Sequence, residues 1–246
     1  MKSNDRIIKD IRFFESECKN FEGNFDGIIG NVYKNTEDTN SIGQRIARKL
    51  NEYEFISGEY DHIYINLTEK IELGQILENS KTLDKRIKNI DFGIEAKKFN
   101  SSKEYDKNLL IKELTFKTLK HLSQNDDYKI KKIIEVENLL NKFETEIEIA
   151  YKIKETKSYK IEIRYMIKPN NGLSKIVIRF SDKKDGIEKI ITRELFHHED
   201  IFYLVGKIDF KSNKIILNPK KSYIGQIATA NYKTPIEIKI NEMEKL

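Results

Sequence analysis

Four side chains in the first half of the chain have types and spacing suited to phosphodiester chemistry. In "KNIDFGIEAKKFN", residues 88–100, a period of two places Ile90, Phe92, Ile94 and Ala96 on one side and Asp91, Gly93, Glu95 and Lys97 on the other. Two carboxylates and a lysine on one strand face can hold Mg²⁺ through oxygen and steady an attacking water, as metal-dependent nucleases of the PD-(D/E)xK type do. Glu95 and Lys97 would form the Glu-x-Lys pair. The remaining carboxylate would be Asp61 from a neighbouring strand, or Asp91 from the same one. The spacing is not selective. Forty acidic residues and 37 lysines in 246 positions give about six acid-x-Lys triplets by chance, and the chain holds seven, beginning at Glu17, Glu95, Asp127, Glu155, Asp182, Asp209 and Glu237. The competing reading, a hydrated outer sheet face, accounts for the same residues and is the one favoured.

Other constellations carry less. "ELFHHEDIF" brings together His197, His198, Glu199 and Asp200. Adjacent histidines on a strand point to opposite faces, so this stretch reads as a polar turn between strands. The single Cys18 excludes an intrachain disulfide and a cysteine-based zinc site, and it has no histidine nearby to activate a thiolate. The sequence contains no G-x-S-x-G, no H-E-x-x-H and no phosphate-binding glycine loop; "GNFDGIIG" has the wrong spacing. No cofactor is expected.

A segment better suited to contact than to catalysis lies at "NEYEFISGEYDHIYIN". Glu52, Glu54, Glu59 and Asp61 alternate there with Tyr53, Phe55 and Tyr60. Tyrosine buries much area at small entropic cost, and the surrounding acids suit a basic protein partner. Glu52, Tyr53, Glu54, Glu59, Tyr60 and Asp61 are therefore the candidate partner-binding residues. The run "ARKLNEYEFISGEYDHIYINLTEKIELGQI" followed by "KNIDFGIEAKKFN" resembles the cytoplasmic immunity proteins of bacterial polymorphic toxin systems. The resemblance covers residues 1–125 and assigns no role to any single residue. It implies a compact α+β domain without catalytic groups that binds a cognate toxin, such as a basic toxin domain, and blocks its active surface.

The elements that must position these residues can be read from period and punctuation. "RIIKDIRFF" (6–14) fits either a strand or a helix. Residues 20–40 read as loop with a short strand at Ile28–Tyr33. Residues 40–55 read as a helix opened by a Ser41–Gln44 capping box, with Ile42, Ile46, Ala47 and Leu50 inward. Residues 60–71 form a strand paired with 88–99, with a short helix or long loop between them. Helices follow at 103–124 and 126–143, the second capped by Asp126 or Asp127. Beyond that the chain alternates, with Tyr159, Ile161, Ile163, Tyr165 and Ile167 on one face, and about seven strands follow at hairpin spacing. Their apolar face needs a cover, supplied by the two long helices or by closure of the sheet. The fold class is α+β: a mixed part, 1–143, and a largely antiparallel β-rich part, 144–246.

Charge and hydropathy narrow the partners. Residues 1–125 carry 21 basic and 21 acidic side chains, so the whole excess of +5 falls in 126–246. That basic half makes a nucleic-acid-binding module the remaining alternative, although acids are interleaved nearly one for one. No apolar run approaches the roughly 20 residues needed to cross a bilayer, and the charged N-terminus lacks a signal core, so a cytoplasmic protein with no membrane partner is expected.

Overall fold

The computed structural model describes residues 5–16, 27–79, 84–169 and 172–246. Glu17, Cys18, Gly23 and Asn171 fall outside them. The chain divides into two compact units, Met1–Glu144 and Thr145–Leu246. Together they make an α+β protein with mostly antiparallel strands.

In the first unit, "RIIKDIRFF" resolves into strands, β1 (Arg6–Ile7) and β2 (Asp10–Glu15), followed by β3 (Gly27–Ile28). Helix α1 (Thr39–Glu52) then returns the chain to β4 (Ile56–Gly58) and β5 (His62–Thr68). The interval expected to be a helix or loop contains β6 (Ile76–Asn79), and β7 (Ile87–Gly93) follows it. Three helices complete the unit: α2 (Ala96–Ser101), α3 (Glu104–Leu122) and α4 (Asp127–Phe143). The sheet order is β3-β2-β5-β7-β6, in which β2, β5 and β7 run parallel and the edges β3 and β6 antiparallel. Strands β1 and β4 form a separate antiparallel ribbon.

Parallel pairing requires a crossover, and α1 supplies it between β2 and β5. Its expected inward residues Ile42, Ile46, Ala47 and Leu50 are all buried. Gly43 makes the close approach possible, since a Cβ there would collide with the Ile11 carbonyl oxygen. The capping box is not formed. The N-cap lies three residues earlier, at Asp38, which leaves Ser41 buried inside the first turn, and Asp38 binds Arg45 Nη2 (3.1 Å) instead. Helix α4 does have its side-chain cap: Asp126 accepts the Lys129 N–H (3.0 Å), and Ile133, Val136 and Leu140 face in.

The second unit opens with an antiparallel run, β8 (Ile149–Glu155), β9 (Tyr159–Met166), β10 (Ser174–Asp182) and β11 (Glu188–Leu195). The stretch "IFYLVGKIDF" (201–210) divides between a helical turn, α5 (Ile201–Leu204), and β12 (Lys207–Lys211). A two-residue turn with positive φ at Ser212 and Asn213 joins β12 to β13 (Lys214–Asn218). Then come α6 (Tyr223–Ala228), β14 (Ile236–Lys239) and β15 (Glu244–Lys245). The strands form two sheets, β15-β11-β10-β9-β8 and β12-β13-β14. One core joins them: Ile161, Ile163, Tyr165, Ile176, Ile178 and Phe180 from the larger sheet meet Leu204, Ile208, Ile215, Leu217 and Ile238. The apolar face of the larger sheet is thus covered from within residues 145–246 by α5 and the smaller sheet.

Candidate functional site

The carboxyl ends of β2, β5 and β7 lie side by side, which is where open sheets with parallel strands carry their ligand crevices. At the end of β2, the buried Glu15 carboxylate accepts four consecutive backbone N–H groups: Gly30 (3.0 Å), Asn31 (2.7 Å), Val32 (3.0 Å) and Tyr33 (3.1 Å). Burial, the largest single influence, pushes this carboxyl up. The four amides outweigh it and hold the group below the usual carboxylate range. The turn so fixed sets Tyr33, whose hydroxyl donates to the Ile94 carbonyl (2.9 Å) and whose ring meets Phe99 edge-on at 5.5 Å. Nothing local in the sequence marks Glu15; its four partners lie 15 to 18 residues further on.

Ile94 and Phe99 in turn line an apolar recess of about 300 Å³ with Leu73, Phe92, Leu110 and Leu114. Glu95, Lys98, Glu113 and Lys117 stand at its mouth. Lys117 donates to the Gly74 carbonyl (2.7 Å) and lies over the Phe92 ring. A second recess of about 260 Å³ shares Leu73, Ile94 and Glu95 and adds Glu69 and Ile71. Leu73, 69% exposed, lines both lobes of the groove. The Glu69 carboxylate accepts the Ala96 N–H (2.7 Å) and fixes the start of α2.

Strand β7 ends at Gly93, not beyond Lys97. Gly93 is held by a bond from its N–H to the Gln75 carbonyl (3.0 Å), and a Cβ would collide with the Glu72 carbonyl oxygen. The alternation therefore stops. Glu95 becomes the N-cap position of α2, and Lys97 is an exposed residue of that helix. Asp91 points to the sheet face opposite Phe92. There it accepts from Asn66 Nδ2 (2.8 Å) and Asn79 Nδ2 (3.2 Å), and Asn66 also reaches Ser16, whose hydroxyl donates to Thr68 Oγ1 (2.7 Å). Asp61 lies at the other end of the sheet, just before β5. Asn66 pairs with Asp91 five residues up that strand, a separation of about 16 Å at 3.3 Å per residue. The four residues of the Glu-x-Lys constellation are not brought together. Among the described residues no group of three His, Cys, Asp or Glu side chains could hold a metal ion.

Asp61 is buried and engaged. It accepts from Lys9 Nζ (2.8 Å), contacts His62 Nδ1 (2.6 Å) and has Arg6 at 3.5 Å. Burial pushes its carboxyl up most strongly, but the bonds from Lys9 and His62 prevail and lower it. The rest of the acidic-aromatic segment is also largely committed inward. Glu52 pairs with Lys49 (2.8 Å), whose ammonium lies over the Tyr53 ring, and the Tyr53 carbonyl accepts from Lys132 (2.6 Å). Burial, with Glu78 nearby, pushes the Tyr60 phenol up to about 12. Only Glu54 and Glu59 of the six candidate contact residues are exposed. In the second unit, His197 and Asp200 close a turn in which Asp200 accepts the His197 N–H (3.0 Å) and the Tyr232 hydroxyl (2.5 Å).

No protein-family model matches the chain, no curated protein matches it in sequence, and no solved structure matches it.

Proposed function

We propose that the chain is a non-catalytic protein-binding inhibitor of the immunity kind, which neutralises a basic toxin or effector domain by covering its active surface. The supporting observation is the two-lobed apolar groove at the carboxyl ends of the parallel strands. Its larger lobe, about 300 Å³, is at the lower limit for small-molecule sites and matches one large apolar side chain inserted by a partner. Three glutamates, Glu69, Glu95 and Glu113, and two lysines, Lys98 and Lys117, surround the two lobes, a balance that complements a partner with excess positive charge. We place the contact in the groove rather than in the Glu52–Asp61 segment, of whose four acids Glu52 and Asp61 are paired within the fold and Glu54 and Glu59 are exposed. The nuclease reading finds no supporting geometry, because Asp61, Asp91 and Glu95 do not converge.

The test is titration calorimetry against the product of the neighbouring open reading frame. Leu73→Glu places a charge between the two lobes without disturbing the core. It should weaken binding by at least 2 kcal/mol, roughly the value of a central hot-spot residue. A complex of unchanged affinity in that variant, or no complex with the wild type, refutes the proposal.

A further inference from the structure

Residues 210–236 hold five lysines, Lys211, Lys214, Lys220, Lys221 and Lys233, and not one carboxylate, although acids make up 40 of the 246 residues. About four would be expected in a stretch of that length. Lys214 is paired with Glu237 across the sheet (3.1 Å), while Lys220 and Lys221 just before α6 and Lys233 after it are exposed, the Lys220 ammonium lying over the Tyr203 ring. This short helix shows its apolar side outward. Tyr223 is 77% exposed, Ile224 62% and Ile227 59%. At 100° per residue the three fall within an arc of about 100°. Scattered exposed apolar residues are ordinary, but three on one short helix form a continuous ridge of the kind that marks an interaction surface.

The ridge is held in place from beneath. Gly225 and Thr229 are the buried residues of this turn. The Ser222 hydroxyl accepts the Gly225 N–H (3.2 Å), and Thr229 Oγ1 donates to the Gly225 carbonyl (2.8 Å). A Cβ on Gly225 would collide with the Lys220 carbonyl oxygen. The acids on the neighbouring α5 turn are Asp200, whose carboxylate is taken by Tyr232 and His197, and the exposed Glu199. The whole second unit carries 20 basic and 14 acidic residues.

We propose that the α6 ridge docks on an anionic lipid surface, with Tyr223, Ile224 and Ile227 entering the headgroup boundary and Lys220, Lys221 and Lys233 facing the lipid charges. The two isoleucines need an apolar phase, which a nucleic-acid backbone does not offer. The lysines need an anionic rim, and their long stems can reach it while the ridge is immersed. No helix among the described residues is long and apolar enough to cross a membrane, but lying on one requires only this edge. The proposal uses residues of the second unit alone and stands apart from the groove of the first.

Co-sedimentation of the full chain with phosphatidylcholine vesicles, and with vesicles half phosphatidylglycerol, is the test. Binding is expected to the anionic vesicles only, and to fall as salt rises from 0.05 to 0.5 M (about 14 to 4 Å of Debye length). Ile224→Glu and Ile227→Glu should each cost about tenfold or more in partitioning. Lys220→Glu and Lys221→Glu should cost about fivefold per charge removed. All four positions are exposed, and circular dichroism verifies that the variants fold. Failure to sediment with anionic vesicles, equal sedimentation with neutral ones, or binding indifferent to both isoleucine variants overturns the proposal. So does protection of residues 222–229 from hydrogen exchange by an acidic protein but not by anionic vesicles.

Discussion

Replacing Glu15 by alanine removes one side chain and four hydrogen bonds. Water can take the place of the carboxylate at the exposed Gly30 and Asn31, so those two bonds cost about 0.5–1 kcal/mol each, and the half-buried Val32 about 1–1.5. The Tyr33 N–H belongs to a fully buried residue; left without an acceptor it costs about 1–3 kcal/mol. The sum is about 3–6 kcal/mol, a large part of the roughly 5–15 that stabilises a domain. Glu15→Gln rescues less than half, because its amide NH₂ would face two N–H donors. Since the two units need not unfold as one, the assay is urea unfolding followed by hydrogen exchange resolved to residues 27–34, with a peptide of the second unit as reference. The pH dependence supplies a second readout. A carboxyl lowered by folding contributes stability that is complete above its unfolded value, about 4.3, and is lost as pH falls through the folded value. Wild type and variant should therefore differ fully at pH 7 and converge in acid below pH 4. A difference under about 1 kcal/mol at pH 7, or one that persists unchanged in acid, refutes the account. The consequence reaches the groove, because Tyr33 holds the Ile94 carbonyl and abuts Phe99; affinity for the proposed partner should fall together with the protection of residues 27–34.

Asp61→Asn removes the negative charge shared by Lys9, His62 and Arg6 and one of the two acceptor oxygens. Because Lys9 and Arg6 are about half exposed and can be rehydrated, the expected loss is about 1–3 kcal/mol in urea unfolding, smaller than for a wholly buried pair. Its carboxyl is lowered like that of Glu15, so this contribution too should disappear on acidification rather than on raising the pH. Gly93→Ala drives a methyl into the Glu72 carbonyl; a loss of about 3 kcal/mol or more, or failure to fold, is expected, and a neutral result in thermal melts would show that the end of β7 is misplaced. Asp126→Ala should cost about 1 kcal/mol through the lost cap of α4, read as faster amide exchange at Lys129.

The second half was the more legible in sequence. In β9, isoleucine and tyrosine alternate with charge, and a period of two reports which side is buried whatever the strand pairs with. Helices α3 and α4 were legible from apolar residues recurring at a period of 3.6 instead. The reading failed where a local pattern ran past the point at which the chain turns. The "IEAK" of residues 94–97 continues the alternation of β7 in letters, but Gly93 sits against the Glu72 backbone and the chain bends there into α2. Period alone cannot register a close approach between residues 21 positions apart.

The sequence by itself determined which side chains are apolar, how they repeat and where charge is excluded; the acid-free stretch 210–236 is plain in the letters. Only the tertiary structure decided that β2, β5 and β7 run parallel, that Glu15 serves the turn at 30–33, and that residues from 69 to 117 meet as one groove. Periodicity is a property of neighbours along the chain and reports local burial. A carboxylate gathering four distant amides, or two lobes walled by a strand end and two helices, exists only after many weak long-range contacts have been made together.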